Sequence, residues 1–407
     1  MSKHTWRLRE FGDEGAFVLP KAVLEAQSAS AKAARLPRVG VIYGGPSPEH
    51  DVSILTGLQA VHALAKAPQV DSVHSLYWSK AGEWFVVPPA AEAAGFVEGV
   101  PANAARLRLI SSPGGGFVKS GGGLRAKEER LELDSVLVCC HGGPGEDGTL
   151  QSALDLTGLA YAGPSAIGAA LGMDKLAFGA LMTYAGLPVL PRVPLNDKSA
   201  EPAFPPPYIL KPRFGGSSIG IEVVADFDTA RARLTTNTHF CRGAVLEPYE
   251  EEMFDLQIAA RAWPEFGLSA IEKPLRTRGK GEILGYEDKY VGTEGMASAP
   301  RELPADISPE IARRIRSLAA EVAPLVGLRG MARIDFLSDG EDVFLNEVNT
   351  IPGSLSRYLW VDPRLEFNTL LLDLLAEAKA RPAAAYSSAG SDGSVLRVAG
   401  SIASKLG

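Results

Sequence analysis

The sequence predicts an α/β protein of two or three domains, and three observations carry that prediction. The chain has 407 residues, 46% of them hydrophobic and 22% charged, which is enough apolar material for more than one core. From Arg38 a strand run, RVGVIY, passes through a Gly/Pro turn into a helical stripe, and more strand runs follow. That order builds a parallel sheet covered by helices. Near the C-terminal end two apolar runs, LRGMARIDFL and FLNEVNTIPG, flank the turn signal Asp339-Gly340 and pair as an antiparallel hairpin.

Taken in order, residues 1–36 read as an extension ending in the Ala/Ser-rich run AQSASAKAAR, a linker or a short helix. The opening MSKHTWRLRE lacks the apolar segment of a signal peptide, and no apolar run approaches the roughly 20 residues of a membrane helix. After the strand at 38–43, Ile54, Leu58, Val61 and Leu64 recur at helical spacing. Strands are expected near 72–77 and 84–88, and the PGGG and SGGG of 99–127 mark an excursion or a long hairpin. LDSVLVCC (133–140) is a buried strand running into HGGPGEDG. Gly163-Pro164 marks a boundary, and Ser165 caps a helical stretch through Met182. The loop AEPAFPPP leads to the strand YILKPR, the glycine loop FGGSSIG and the strand IEVVAD. A further unit begins near Glu247, with Ser308-Pro309 opening a helix whose buried face is Ile311, Ile315, Leu318 and Val322. A last helix is expected over roughly 365–380, and the Ala/Ser/Gly-rich tail from Arg381 is expected to be mobile until near its end. The division expected is thus 1–36, 37–163, 164–246, 247–380 and 381–407.

A net charge of −7 provides no electrostatic footprint for nucleic acid or an anionic membrane. Three cysteines, two of them the adjacent Cys139 and Cys140, make no disulfide framework and point to a reducing, cytoplasmic compartment.

The hairpin carries the sharpest chemistry. Side chains alternate along a strand, so Glu347 and Asn349 share a face that Asp335 can reach from the partner strand. Two carboxylates and an amide, with no Cys or His nearby, form a hard-oxygen site of the kind magnesium shares with phosphates. The bland alternative is a half-buried sheet with a polar face. In KPRFGGSSIG, Lys211 ends a strand and Gly216 and Ser218 lie in a loop whose backbone N–H groups can approach phosphate oxygens. The GxxxxGK[ST] pattern is absent. Gly216 to Gly220 also satisfies G-x-S-x-G, but a serine nucleophile on that motif needs a helix after it, and a β-rich run follows here. Lys175 in GMDK and Lys289 in YEDKY add cations suited to a triphosphate. Glu49 stands where the first strand turns into the first helix, the place at which an open α/β sheet presents ligand-binding groups. It also reads as an ordinary first-turn acid. His141 leaves a buried strand for a glycine loop and reads equally as a buried structural histidine.

These motifs, GGPSPEHDVS, HGGPGEDGTLQ, GMDK, KPRFGGSSIG, YEDKY, RIDF and NEVNTIPG in that order, resemble the D-alanine–D-alanine ligases of the ATP-grasp superfamily over about residues 38–380. The resemblance implies a three-domain α/β fold, α+β in places, with an N-terminal open parallel sheet and two antiparallel sheets gripping ATP. It implies two magnesium ions, replaceable by manganese, on Asp335, Glu347 and Asn349. Lys175, Lys211, Gly216 and Ser218 would meet the phosphates, with Lys289 nearby. Adenine would lie against Glu247 to Glu250, and Asp255, a shorter acid than the family's glutamate, would face the ribose. Glu49 would hold the first substrate's ammonium, linked through Ser217 and Tyr290 to a lid over 286–295. Arg333 and the Gly353 N–H would stabilise the oxyanion, and His141 would border the substrate. The resemblance implies small amino-acid substrates and peptidoglycan synthesis, and admits a homodimer. In an ungapped reading the chain departs from the family after Gly353: Leu355 and Tyr358 stand where hydroxyl-bearing Thr and Ser are usual, with Arg357 beside them as a replacement contact for the acceptor carboxylate. A non-catalytic nucleotide-binding protein is the rival reading, opposed by the presence of all three metal-ligand candidates and Arg333.

Overall fold

The computed structural model describes residues 37–119, 128–275, 300–384 and 386–399. Strand β1 (Arg38–Gly44) is buried along almost its whole length and pairs in parallel with β2 (Ser72–Trp78) and β7 (Ser135–Val138). A strand hydrogen-bonded on both sides and covered on both faces needs a continuous apolar run, and VGVIY and VLV supply it. β8 (Tyr161–Ala162) extends the parallel part. On the other edge β3 (Trp84–Val87), β4 (Ala105–Ile110), β5 (Gly116–Lys119) and β6 (Glu129–Arg130) add antiparallel. The sheet therefore runs β6-β5-β4-β3-β2-β1-β7-β8. It is mixed: the open parallel sheet read from the sequence is its β2-β1-β7-β8 half. The Gly-rich excursion is the β4–β5 hairpin, in part outside the described residues.

Helix α1 (His50–Leu64) presents Ile54, Leu58, Val61 and Leu64 to this sheet, all buried as their spacing requires. Two short helices, α2 (Gly143–Glu146) and α3 (Thr149–Thr157), follow β7. The helical stretch expected through Met182 is two helices, α4 (Ala166–Met173) and α5 (Lys175–Tyr184). Asp174 breaks it with an extended backbone and caps α5 by accepting from Leu176 N–H and Ala177 N–H.

The central sheet is antiparallel in the order β11-β10-β12-β9: β9 (Val193–Leu195), β10 (Tyr208–Pro212), β11 (Glu222–Val224) and β12 (Ala244–Pro248). Helix α6 (Phe227–Thr236) lies between β11 and β12 in sequence. β12 runs across position 246, at which the sequence suggests a boundary. The third sheet is antiparallel in the order β15-β14-β13-β16-β17. Its strands are β13 (Phe254–Arg261), β14 (Gly267–Pro274), β15 (Arg301–Glu302), β16 (Met331–Ser338) and β17 (Val343–Asn349). Helix α7 (Pro309–Leu325) packs Ile311, Ile315, Leu318 and Val322 into this sheet's core, with Ser308 accepting from Ile311 N–H. After β17 the chain leaves the third sheet. A 3-10 turn (Gly353–Leu359) and helix α8 (Phe367–Ala380) bury Leu355, Leu359, Leu370, Leu371 and Leu374 in the core of the first sheet. The short helix α9 (Ser394–Ala399) ends the described chain.

Candidate active site

The expected hairpin pairs β16 with β17, with Asp335 opposite Glu347 and Arg333 opposite Asn349. All four side chains thus belong to one face of the sheet, which looks across a cleft at the central sheet. A bulge lies between Asp335 and Phe336, where Glu347 gives way to Leu345 as the partner. The extra residue is Asn346, and the bulge turns it onto the same cleft wall as Glu347. Strict alternation would have sent Asn346 to the other face.

The cleft between the two antiparallel sheets is lined by Lys211, Ser218, Glu247, Glu250 and Asp255, with Ile209, Ile221 and Leu337 as its apolar walls. A cleft that combines apolar walls with charged and polar groups suits a nucleotide. Lys211 Nζ donates to Glu247 Oε2 (2.7 Å) and Asn346 Oδ1 (3.2 Å), joining the two sheets. Burial alone would raise the Glu247 carboxyl, but Lys211 and Arg192 beside it hold it below the usual carboxylate range. Arg192 is a site residue that motif reading missed. Its Nη1 donates to Lys175 O (3.1 Å), its Nη2 to Asn346 O (3.0 Å), and its Nε lies 3.4 Å from Glu247 Oε1.

A second cavity is lined by Glu49, His141, Glu146, Ser217, Arg333, Asn349 and Gly353. Lys175, Gly215, Gly216 and Glu347 line both cavities, so the two meet there. Lys175, first residue of α5, is buried rather than solvated; its Nζ donates to Gly215 O (2.5 Å) and lies 3.5 Å from Glu347 Oε2. Ser217 donates to the Glu49 carboxylate. Ser217 and Ser218 adopt φ of 52° and 59°, a left-handed backbone uncommon outside glycine, which holds the loop against both cavities. Gly216 and Gly142 leave room for Glu49. A Cβ on Gly142 would stand 2.5 Å from Glu49 Oε2, and its φ of +61° disfavours a side chain as well.

His141 is fixed as one neutral tautomer. Its Nδ1–H donates to Ile351 O (2.6 Å), and Nε2 accepts from the Thr56 hydroxyl (2.7 Å), which itself accepts from Ser354 N–H (3.0 Å). Burial pushes this imidazole down to about 4. The histidine thereby grips both sides of Pro352-Gly353. Glu146, from α2, adds to the hold on the Ile351 side, accepting from Gly142 N–H (2.8 Å) and Ile351 N–H (2.9 Å). Burial first, and the neighbouring Glu49 charge second, push its carboxyl up to about 8. Glu146 went unnoticed although it stands inside GEDG; only its burial distinguishes it from Asp147.

Asp335 is buried, with Arg333 Nε and Nη2 donating to its two oxygens at 2.7 and 2.8 Å. Asn349 Nδ2 donates to Asp335 Oδ2 at 3.1 Å. Asp335, Glu347 and Asn349 are thus adjacent and offer oxygen donors only, once the Asn349 amide turns. That chemistry fits magnesium shared with phosphates. No group of three His, Cys, Asp or Glu converges among the described residues, because the third donor is an amide.

Other expected residues are not among those that line these two cavities in the described structure. Lys289, Tyr290 and the lid at 286–295 lie outside the described residues. Arg357 is exposed, with its guanidinium over the Phe367 ring, and Leu355 is buried in the first core. Tyr358 lies beyond Gly353 on the same 3-10 turn, under the Arg301 guanidinium at 4.5 Å. The G-x-S-x-G loop runs into β11, antiparallel to β10, so the helix that a nucleophilic serine requires is missing.

Comparison with known proteins gives the same picture from outside. The chain is 34% identical over 381 residues to a D-alanine–D-alanine ligase of Methylobacterium sp. (strain 4-46), covering 85% of this chain and 92% of that one. It is 30% identical over 361 residues to another of that name from Bradyrhizobium sp. (strain ORS 278), covering 85% and 96%. Among solved structures, the D-alanine-D-alanine ligase from Helicobacter pylori superimposes with a TM-score of 0.65 at 22% identity, over 86% of this chain and all (100%) of that one. The VanG D-Ala:D-Ser ligase from Enterococcus faecalis superimposes with 0.68 at 24%, over 84% and 100%. These two share the fold of this chain. The D-ala D-ala ligase N-terminus model matches residues 38–164 and the C-terminus model residues 182–376, spans that hold the Gly215–Gly220 loop and the carboxylate hairpin, with Lys175 of the cavity walls between them, and the chain belongs to that ligase family.

Proposed function

We propose that the chain is an ADP-forming ligase that uses ATP to activate the carboxylate of one D-alanine as an acyl phosphate and joins it to the amine of a second, supplying a dipeptide for peptidoglycan. The single observation that carries this reading is the wall of Lys175, Gly215, Gly216 and Glu347 common to both cavities. A phosphoryl group held there touches a nucleotide on one side and a small carboxylate on the other. The names of the relatives support D-alanine as substrate.

A carboxylate has too poor a leaving group to react with an amine at neutral pH, so phosphorylation must come first. Glu49 pairs with the donor's ammonium, and its hydrogen bond from Ser217 ties donor binding to the loop over the phosphates. Lys175 and Lys211 face the transferred charge. Asp335, Glu347 and Asn349 would hold two magnesium ions, or manganese, whose chemistry is to offset charge on the phosphoryl oxygens. The acceptor's amine then attacks the acyl carbon. Arg333 and the Gly353 N–H stabilise the resulting oxyanion, with His141 and Glu146 fixing the backbone on either side of Gly353. Lys289 and Tyr290 belong to a lid over 286–295 that would exclude water from the acyl phosphate. Adenine would lie along Glu247 to Glu250 and the ribose near Asp255. The three-domain division of residues 37–380, a cytoplasmic location and a homodimer complete the proposal; no helix among the described residues is long and apolar enough to cross a membrane.

The test is ADP release from MgATP by purified protein with D-alanine, with mass spectrometry of the product. Dipeptide with D-alanine and none with L-alanine is expected; ADP release with no dipeptide from any amino acid would remove the reading. A second reading, in which the acceptor is not D-alanine, is favoured by burial of Leu355 and by the bulk of Tyr358.

A further inference from the structure

A third cavity borders the glycine loop, and the mechanism does not use it. Phe214 and Ile219 of the loop form one side, and Pro46, Pro48 and Pro144 form another. Its mouth is the 3-10 turn Thr238–Arg242, where His239, Cys241 and Arg242 are exposed. Glu49, Met173, Gly215 and Gly216 line both this cavity and the second one, so the two meet at the carboxylate that takes the donor's ammonium. Exposure falls along the way: Glu49 and Met173, at the inner end, are each only 8% exposed. Bare backbone borders Glu49 at this junction, since a Cβ on Gly142 or Gly216 would stand 2.5 or 3.0 Å from its Oε2. Met173, the last residue of α4, is unbranched and can swing aside. The nucleotide side offers the donor no such way in. Lys175 Nζ bridges that seam, bound to Gly215 O at 2.5 Å and 3.5 Å from Glu347 Oε2. A triphosphate along Lys175 and Gly216 would fill what is left. The charges of the third cavity suit a zwitterion moving ammonium first. The Arg242 cation stands at the mouth, half-exposed beside Asp147 and over the Phe214 ring at 4.4 Å, and the Glu49 anion stands at the inner end. Proline, glycine, Phe214 and Ile219 between them carry no charge that would hold it midway.

We propose that the third cavity is the passage by which the donor amino acid reaches and leaves Glu49 while nucleotide fills the cleft, with Met173 as its inner gate and Arg242 at its mouth. The assignment rests on the ligase reading. It limits the donor to a small amino acid by the width of the passage as well as by the fit at Glu49.

Cys241 supplies the handle for a test on the folded wild-type protein. It is exposed, whereas the other two cysteines, Cys139 and Cys140, are fully buried. N-(1-pyrenyl)maleimide on Cys241 puts a large ring system in the mouth, and methyl methanethiosulfonate adds only a methylthio group. With MgADP present, the release rate of D-alanine is read from the relaxation of its methyl NMR signal, and its Kd from equilibrium dialysis. A blocked passage slows entry and exit alike and leaves their ratio unchanged. The pyrenyl adduct should therefore release D-alanine at least tenfold more slowly with Kd within twofold, and the methylthio adduct should stay within twofold in both. Cys241→Ser treated with the maleimide should match its untreated form. An unchanged release rate in the pyrenyl adduct overturns the passage. So does a raised Kd, which would mean a distorted donor site, and so does slowing of treated Cys241→Ser. All three outcomes leave the ligase reading intact. Unmodified protein that forms no hydroxamate from D-alanine, MgATP and hydroxylamine, which captures an acyl phosphate, overturns the ligase reading and the passage with it.

Discussion

Glu347 illustrates how much one oxygen decides at this site. Its carboxylate lines both cavities and is balanced by Lys175 at 3.5 Å. Glu347→Gln keeps size and shape but removes the charge that a metal ligand needs. The expected loss is at least ~3 kcal/mol of transition-state stabilisation. Unfolding should change little, since the side chain is partly exposed. Turnover near the wild-type rate would refute the ligand assignment. Glu49 calls for a different readout, because the proposed mechanism sets it on the donor and it lines the second cavity, not the cleft between the antiparallel sheets. Glu49→Gln should raise the donor's KM tenfold or more and leave that of ATP within about twofold, about 1.4 kcal/mol of selective binding. Gly142→Ala gives an independent check from the opposite direction. It leaves the carboxylate in place but thrusts a methyl group to 2.5 Å from Glu49 Oε2. The same donor-selective defect is expected. Equal effects on donor and ATP in both variants would make Glu49 a helix-start acid and no more.

At the scale of elements, the cleft depends on joints between them. Arg192 precedes β9, yet it binds the first carbonyl of α5, the bulge of β17 and the buried Glu247 of β12. Arg192→Met should release the bulge at Asn346, raise the ATP KM about tenfold and cost about 1–3 kcal/mol of stability through the unpaired carbonyls. Urea unfolding and nucleotide titration measure the two effects separately; a variant that unfolds earlier but binds ATP normally would reduce Arg192 to packing. These joints were the part of the site that the sequence concealed. The β16–β17 hairpin was legible because apolar alternation and an Asp-Gly turn are local signals. So were the α1 and α7 stripes. The Asn346 bulge was not, because a single inserted residue leaves no trace in composition and reverses the side-chain parity on which the reading relies. Nor was the break at Asp174, since an aspartate inside an apolar run reads as a surface residue until Arg213 closes on it at 2.5 and 2.8 Å. Arg192 was hidden for a third reason: its partners lie 17 to 154 residues away.

The chain folds helix α8 back onto its first sheet, so the segment after β17 must cross from one core to another. Pro352-Gly353 sits on that crossing, and two buried titratable groups clamp it from the N-terminal side. Nothing in the sequence spacing announces that His141 would reach Ile351 across 210 positions. Because both groups are shifted, the clamp makes stability depend on pH in a calculable way. Glu146 titrates at about 8 in the fold against 4.5 ordinarily, so between those values the folded state holds a proton that the unfolded state has lost. Stability therefore falls as pH rises through that window and is level above it. His141 titrates at about 4 against 6.5, so within that window the unfolded chain holds the extra proton, and stability falls as pH drops. Between 4.5 and 6.5 the two slopes oppose each other. From 6.5 to 8 only the Glu146 slope remains, about 1.4 kcal/mol per pH unit at full strength. Glu146→Gln cannot titrate, so the difference in unfolding free energy between wild type and this variant should grow in the variant's favour from pH 6.5 to 8. Groups uncoupled from Glu146 cancel in that difference, whereas the neighbouring Glu49 does not. Below 6.5 the variant alone should show the uncompensated histidine slope, losing stability down to pH 4. Chemical denaturation at pH 5, 6.5 and 8 measures all of this. A wild-type-minus-variant difference that stays constant from 6.5 to 8 would mean that Glu146 is already ionised beside Glu49, and that the backbone N–H groups of Gly142 and Ile351 outweigh its burial.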